Sequence, residues 1–200
     1  MTIAITRMSL ADFFAYDDGT NALYELENGE LLVMPPESKL NRRIATFLLA
    51  YFLQAGILPQ YLTMKTEVMV SGARATVRLP DLMVLSEELA TVLEGATRST
   101  VTLEMPPPRL VVEVVSPGKE AIDRDYRYKR SQYEARGIAE YWIVDPMAQR
   151  VTVLTLVEGL YEAATFEGEA IVTSAVLAEF APTTTLTVAQ ILQARASSNR

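Results

Sequence analysis

The chain contains no cysteine and no histidine. Without cysteine there can be no disulfide and no thiolate nucleophile or ligand. Without histidine, Ser-His-Asp catalysis, Cys-His catalysis and His-ligated zinc are all excluded. Any metal must therefore be held by oxygen, which favours Mg²⁺, Mn²⁺ or Ca²⁺. Any general base must be Asp, Glu, Lys or Tyr. Long apolar runs are missing too, and none approaches the ~18 residues of a membrane span. The N-terminus shows no basic segment followed by an apolar run and a cleavage site. The expectation is a cytoplasmic protein with no membrane partner.

What is present is a globular composition: 200 residues, 50% of them hydrophobic. That is enough for one domain with a sizeable core. No repeat, linker or low-complexity block divides it. The expected layout is a single domain over residues 1–200, with an N-terminal helix and hairpin (8–35), a central core (40–157) and C-terminal strands and helix (158–195). The net charge of −7 argues against broad nonspecific DNA binding, because phosphate neutralisation needs Lys and Arg. The charge is uneven, however. Residues 124–136 carry Arg124, Arg127, Lys129, Arg130 and Arg136 against Asp125 and Glu134. This segment reads either as a solvated helix face or as a phosphate-binding face that includes Arg127 and Arg130.

Local patterns place the elements. Ser9 with Asp12 resembles a capping box for a helix through Phe13 and Phe14. Asn28-Gly29 between two alternating runs predicts a hairpin pairing Tyr24 with Val33 and Leu26 with Leu31. Glu25, Glu27 and Glu30 then share the opposite face, with Glu27 across from Glu30. Residues 40–55 predict a helix with the stripe Ile44, Phe47, Leu48, Tyr51 and Ala55, and Gly56 beyond its end. Strands are expected at 62–70, 79–85, 110–115 and 141–144, the last returning through Asp145-Pro146 into 151–156. Helices are expected at 86–97 and 121–136, and a terminal helix from Thr187 through Leu192. After residue 157 short strands and loops are expected, with Ser197-Ser198-Asn199-Arg200 frayed.

Three residues break these patterns. Glu113 interrupts Leu110-Val111-Val112-Glu113-Val114-Val115, a strand apolar on both faces. An uncompensated carboxylate there costs several kcal/mol, so a cation, a metal ion or dense hydrogen bonding has to accompany it. Asp81 follows Pro80 and opens the apolar run Leu82-Met83-Val84-Leu85; it is either a cap at the start of a strand or a site acid. Lys129 falls on the inward stripe Ile122, Tyr126, Lys129, Tyr133. Either its stem snorkels along the aromatics, or its ammonium is aimed at Glu113 or at bound phosphate.

Taken together, the chain resembles the Uma2 family of the PD-(D/E)XK nuclease superfamily. The resemblance is carried by Tyr24-Glu25-Leu26-Glu27-Asn28-Gly29-Glu30-Leu31, Pro80-Asp81-Leu82, Val112-Glu113-Val114-Val115-Ser116-Pro117, the stretch Asp125 to Gly137 with Lys129 and Tyr133, and Glu140-Tyr141-Trp142-Ile143-Val144-Asp145-Pro146. It implies a mixed α/β fold, with a restriction-endonuclease-like core of a mixed central β-sheet flanked by α-helices. It also implies a divalent metal, Mg²⁺ or Mn²⁺, and hydrolysis of DNA phosphodiester bonds. By position Asp81 and Glu113 take the metal-binding roles, and Glu25 corresponds to the acid of the family's early hairpin. The superfamily lysine normally stands two residues past the second acid, where this chain has Val115. Lys129 is the replacement the Uma2 pattern suggests. The family often has a histidine before its first long helix; Asn41 or a neighbour stands there. Superfamily members often dimerise, since cutting both strands needs two sites, so a homodimer is expected.

The chemistry agrees with that assignment: two carboxylates can hold one Mg²⁺ while leaving room for water and phosphate, and a lysine can orient the water or stabilise developing charge. The competing expectation is a nuclease fold without turnover, acting as a binding or assembly module; Val115 and the charge of −7 motivate it. A two-acid glycosidase is disfavoured, because few aromatics lie near either acid. Asp145 reads as a turn residue, Asp123 and Asp125 as helix N-terminal charges, with Asp125 also able to orient a basic neighbour. Trp142 reads as core. Ser116-Pro117-Gly118-Lys119 lacks the spacing of a phosphate-cradling loop.

Overall fold

A computed structural model describes residues 7–96, 98–183 and 185–194; the Ser197–Arg200 expectation lies outside them. The capping box at Ser9 and Asp12 opens α1 (Leu10–Ala15). The hairpin of β1 (Tyr24–Glu27) and β2 (Glu30–Val33) has the expected register, Tyr24↔Val33 through Glu27↔Glu30. Its turn residues Asn28 and Gly29 both take positive φ, 50° and 83°, as a two-residue hairpin turn requires. The long helix α2 (Lys39–Gln54) is capped by Ser38. Its deepest residues are Ile44, Ala45, Leu48 and Phe52, while Phe47 and Tyr51 are only half-buried, so the core stripe lies to one side of the expected one.

The strand expected over 62–70 is two strands in two different sheets, β3 (Leu62–Thr63) and β4 (Glu67–Met69). The strand expected over 79–85 divides in the same way, into β5 (Val77–Arg78) and β6 (Leu82–Val84). The two breaks lie side by side, joined by the Lys65 N–H donating to the Pro80 carbonyl at 3.1 Å. Lys65 has φ +52°, and Pro80 has no N–H for a ladder, so neither residue suits a continuous strand. A regular period-2 reading carries no mark of a switch between sheets, since each half alternates correctly by itself.

After α3 (Glu87–Glu94) come β7 (Thr100–Val101), β8 (Leu110–Val114), β9 (Glu140–Asp145), β10 (Arg150–Val157) and β11 (Leu160–Glu167). One mixed sheet runs β2-β1-β5-β4-β7, the other β11-β10-β9-β8-β6-β3. The expectation of one central mixed sheet is met by the six-stranded one, with parallel β8–β9 at its middle; the five-stranded sheet stands beside it. β11, eight residues long, replaces the short strands and loops expected after 157, and α6 (Ala175–Phe180) follows it. Thr187 caps α7 (Val188–Gln193) as expected.

The central strands β6, β8 and β9 of the six-stranded sheet are buried throughout, which explains their unbroken apolar runs. Leu110, Val112, Val114, Trp142 and Val144 face the cluster made with α2, α6 and α7, where Trp142 meets Phe52 edge-on at 5.8 Å. Val111, Val115, Tyr141 and Ile143 face the opposite cluster with Tyr133 and Leu89. By the same alternation Glu113 points to this second side.

That side is covered by one continuous helical stretch: α4 (Lys119–Asp123), a π-helical segment (Arg124–Lys129) and α5 (Arg130–Ala135). The wider π-turn keeps residues four apart on one face. Ala121, Asp125, Lys129 and Tyr133 are therefore buried in line. Ile122, expected inward on α-helical spacing, is 39% exposed. Among the described residues no helix is long and apolar enough to cross a membrane.

Candidate active site

Asp81 and Glu113 meet because β6 and β8 are antiparallel neighbours. Leu82 pairs with Val112, and one rung further the same register sets Asp81 opposite Glu113. Asp81 Oδ2 accepts the Val114 N–H at 2.6 Å, and Oδ1 accepts from the Lys65 ammonium. Both acids line a cleft of ≈ 530 Å³ together with Lys65, Lys129, Asp125, Asn41, Glu37, Arg42 and Arg124.

The compensation demanded by Glu113 is a cation plus a hydroxyl. Oε1 lies 2.8 Å from Lys129 Nζ and accepts from the Tyr133 hydroxyl at 2.8 Å. Lys129 also reaches Glu25 and Asp125, each at 3.4 Å, so three carboxylates surround one buried ammonium. Burial pushes the Glu113 carboxyl up to about 8; Lys129 opposes that shift, while Asp81, Asp125 and Glu25 add to it. Burial works against the Lys129 charge, yet Glu113, Glu25 and Asp125 outweigh it and raise its pKa. Lys129 thus stays an ammonium, and neither snorkels nor serves as a base.

Glu25 is fully buried behind the cleft rather than on its wall. Arg78 Nη1 donates to it at 2.9 Å and to Glu27 at 2.9 Å, and the Leu79 N–H donates at 3.1 Å. Burial alone would raise its pKa, but Lys129 and Arg78 hold it down at about 2. Glu25 therefore touches the cleft residues through Lys129 and the Leu79 N–H. Glu27 is bridged to Arg78 and Glu30 to Arg7 at 3.5 Å, so the like-charged hairpin pair is compensated by cations.

Sequence reasoning passed over Lys65. Lys65 lies in the break between β3 and β4, with Glu37 at 3.6 Å on its other side. Asn41 donates from Nδ2 to the carbonyls of Val114 at 3.2 Å and Val115 at 3.3 Å, fastening the end of β8 to α2. Asp125 is buried, and its Oδ1 has no hydrogen bond; it faces Lys129 rather than serving as an exposed helix-end charge. Its neighbour Asp123 pairs with Arg127 at 3.7 Å. Arg130 donates to the Tyr161 carbonyl at 3.1 Å, and neither Arg127 nor Arg130 lines the cleft. Val115 is buried in the core and Trp142 is core, its Nε1 donating to Glu140 at 2.6 Å. Asp145 accepts from Met147 and Ala148 as a turn residue does.

The donor chemistry fits a hard divalent cation. Every acid on the cleft is an oxygen donor, and Asp125 Oδ1 is buried without a hydrogen bond, 3.4 Å from Lys129 Nζ. Among the described residues no three acids are grouped as ligands of one ion. Mg²⁺ commonly takes only one or two protein carboxylates and fills its other positions with water and phosphate.

A crystal structure described as "a putative nuclease belonging to DUF820 from Anabaena variabilis ATCC 29413" shares the fold, with TM-score 0.70 at 15% identity, covering 94% of this chain and 98% of that one. Among curated proteins none matches the chain. The sequence model of the Uma2 family, described as "Putative restriction endonuclease", matches residues 10–189, and the chain belongs to that family.

Proposed function

We propose that this protein is a metal-dependent endonuclease that hydrolyses DNA phosphodiester bonds. The observation that carries the reading is that Asp81, just before β6, and Glu113, on the neighbouring β8, line one cleft, with the Lys129 ammonium 2.8 Å from Glu113. Family membership and the fold shared with a described nuclease support it. Asp81 and Glu113 would hold Mg²⁺ or Mn²⁺, with Asp125 close by. When bound, such an ion supplies charge neutralisation and a more acidic water for in-line attack. Lys129, kept protonated by its three acids, faces negative charge developing at the phosphate. Glu25 and Arg78 act one layer back by fixing Lys129. Lys65 is a second ammonium at Asp81, placed to meet a phosphate oxygen. A cytoplasmic homodimer is the assembly this reading favours, because two sites cut two strands.

Plasmid nicking in Mg²⁺ and Mn²⁺ tests the proposal. Asp81→Ala and Glu113→Ala should each lower the rate by a factor of at least about 10³, as loss of a metal-held catalytic centre does. Equal nicking by both variants and the wild type would refute it. A second reading, a nuclease fold serving only as a binding or assembly module, is favoured by Val115 at the usual lysine position and by the Lys129 ammonium already engaged by three carboxylates. Clean protein that forms stable oligomers and turns over no nucleic acid with any divalent ion would establish that one instead.

A further inference from the structure

The cations that the sequence offers to nucleic acid, Arg127 and Arg130, are not at the cleft. A different set is. A second recess of ≈ 750 Å³ runs along the N-terminal half of α2, and it shares Glu37 and Arg42 with the cleft. Lys39, Arg42 and Arg43 line it, all three exposed. α2 carries these three cations and no acid in its 16 residues, on a chain of net charge −7. They occupy the end of the helix where the macrodipole disfavours positive charge. Lys39 and Arg43 have no ion-pair or hydrogen-bond partner among the described residues. Arg42 has only Glu37, at 3.6 Å, and the same carboxylate is 3.6 Å from Lys65. Both contacts are longer than a hydrogen bond. Asp81, Lys65, Glu37 and Arg42 thus form a chain of alternating charge from the site acid to the α2 surface.

We infer that the N-terminal half of α2, through Lys39, Arg42 and Arg43, is the track along which the substrate's phosphodiester backbone reaches the cleft. This rests on the nuclease reading for the identity of the partner. A polyanion supplies the negative charge that the helix end lacks, and a backbone phosphate can replace Glu37 as the partner of Arg42 and Lys65. The same local positive field reconciles DNA binding with an acidic chain.

The test is binding of a short fluorescein-labelled DNA duplex in EDTA, read by anisotropy over a salt series, followed by nicking assays in Mg²⁺ with the same proteins. The triple variant Lys39→Glu, Arg42→Glu, Arg43→Glu should bind at least about tenfold more weakly at low salt. Its log–log salt slope should be shallower by between about two and three, since each phosphate contact contributes about 0.9. Arg127→Glu, an exposed reversal away from the cleft, should change affinity by less than about twofold. Glutamates suit the first turns of a helix, so the triple variant should keep the wild-type circular dichroism. In nicking, it should raise KM by a larger factor than it lowers kcat. Wild-type affinity in the triple variant, an equal loss in Arg127→Glu, or no duplex binding by the wild type would overturn the inference. Binding that depends on the α2 cations without any nicking would instead remove the nuclease reading and leave the track standing.

Discussion

At the scale of single residues the site is a balance of buried charge. Glu25 holds a proton less readily in the folded chain than in the unfolded one, its pKa lowered from 4.5 to about 2. Its contribution to stability is therefore complete above the unfolded value and is lost as pH falls toward 2, about 3 kcal/mol by linkage. Urea unfolding across that range should show this loss in the wild type and not in Glu25→Gln. Arg78→Met should be costlier at neutral pH, about 3–5 kcal/mol, because it strands two carboxylates. Denaturation midpoints would check it. Glu113 runs the other way: its folded pKa is raised, so it weakens the fold as pH climbs from 4.5 to about 8. Asp81, Glu113 and Lys129 were legible in the sequence because each contradicts its surroundings. Arg78 and Lys65 were not, since an alternating segment with one basic residue looks like any solvated strand.

At the scale of elements, two local irregularities build the cleft. The paired sheet switches at 64–66 and 79–81 bring Lys65 and Asp81 together. The π-turn lines up Asp125, Lys129 and Tyr133 over β8. Neither device has a signature in hydrophobic periodicity: the first leaves alternation intact on each side, and the second changes the helical period over a single turn. Removing exposed Arg127 would shorten the spacing of Lys129 from Asp125 from four residues to three and turn Lys129 away from Glu113. Nicking should then disappear while most helicity is retained, which circular dichroism and the plasmid assay would show together. The hairpin, by contrast, was fully legible, register included, because Asn28-Gly29 leaves one choice of turn. The core stripe of α2 was read a little off, and Phe52 was missed. Phe52→Ala should cost about 3–5 kcal/mol in denaturation experiments, as it empties the space against Trp142.

At the scale of the whole molecule, a fully buried central strand, β8, carries one acid inward, and the neighbouring sheet closes behind it through Glu25 and Arg78. On an acidic chain, six cations still gather at the cleft and along α2: Lys39, Arg42, Arg43, Lys65, Arg124 and Lys129. Proton and metal compete for Glu113, so metal affinity should follow its titration. The direct measurement is Mn²⁺ calorimetry between about pH 6 and about pH 8 on the wild type and on Glu113→Gln, with nicking assayed on the same samples. The expected result is wild-type binding that strengthens by roughly tenfold per pH unit up to the Glu113 pKa, and the loss of both binding and nicking in Glu113→Gln. Binding unchanged by Glu113→Gln, or no binding at the upper end of the range, would contradict it and leave Glu113 as the structural partner of Lys129.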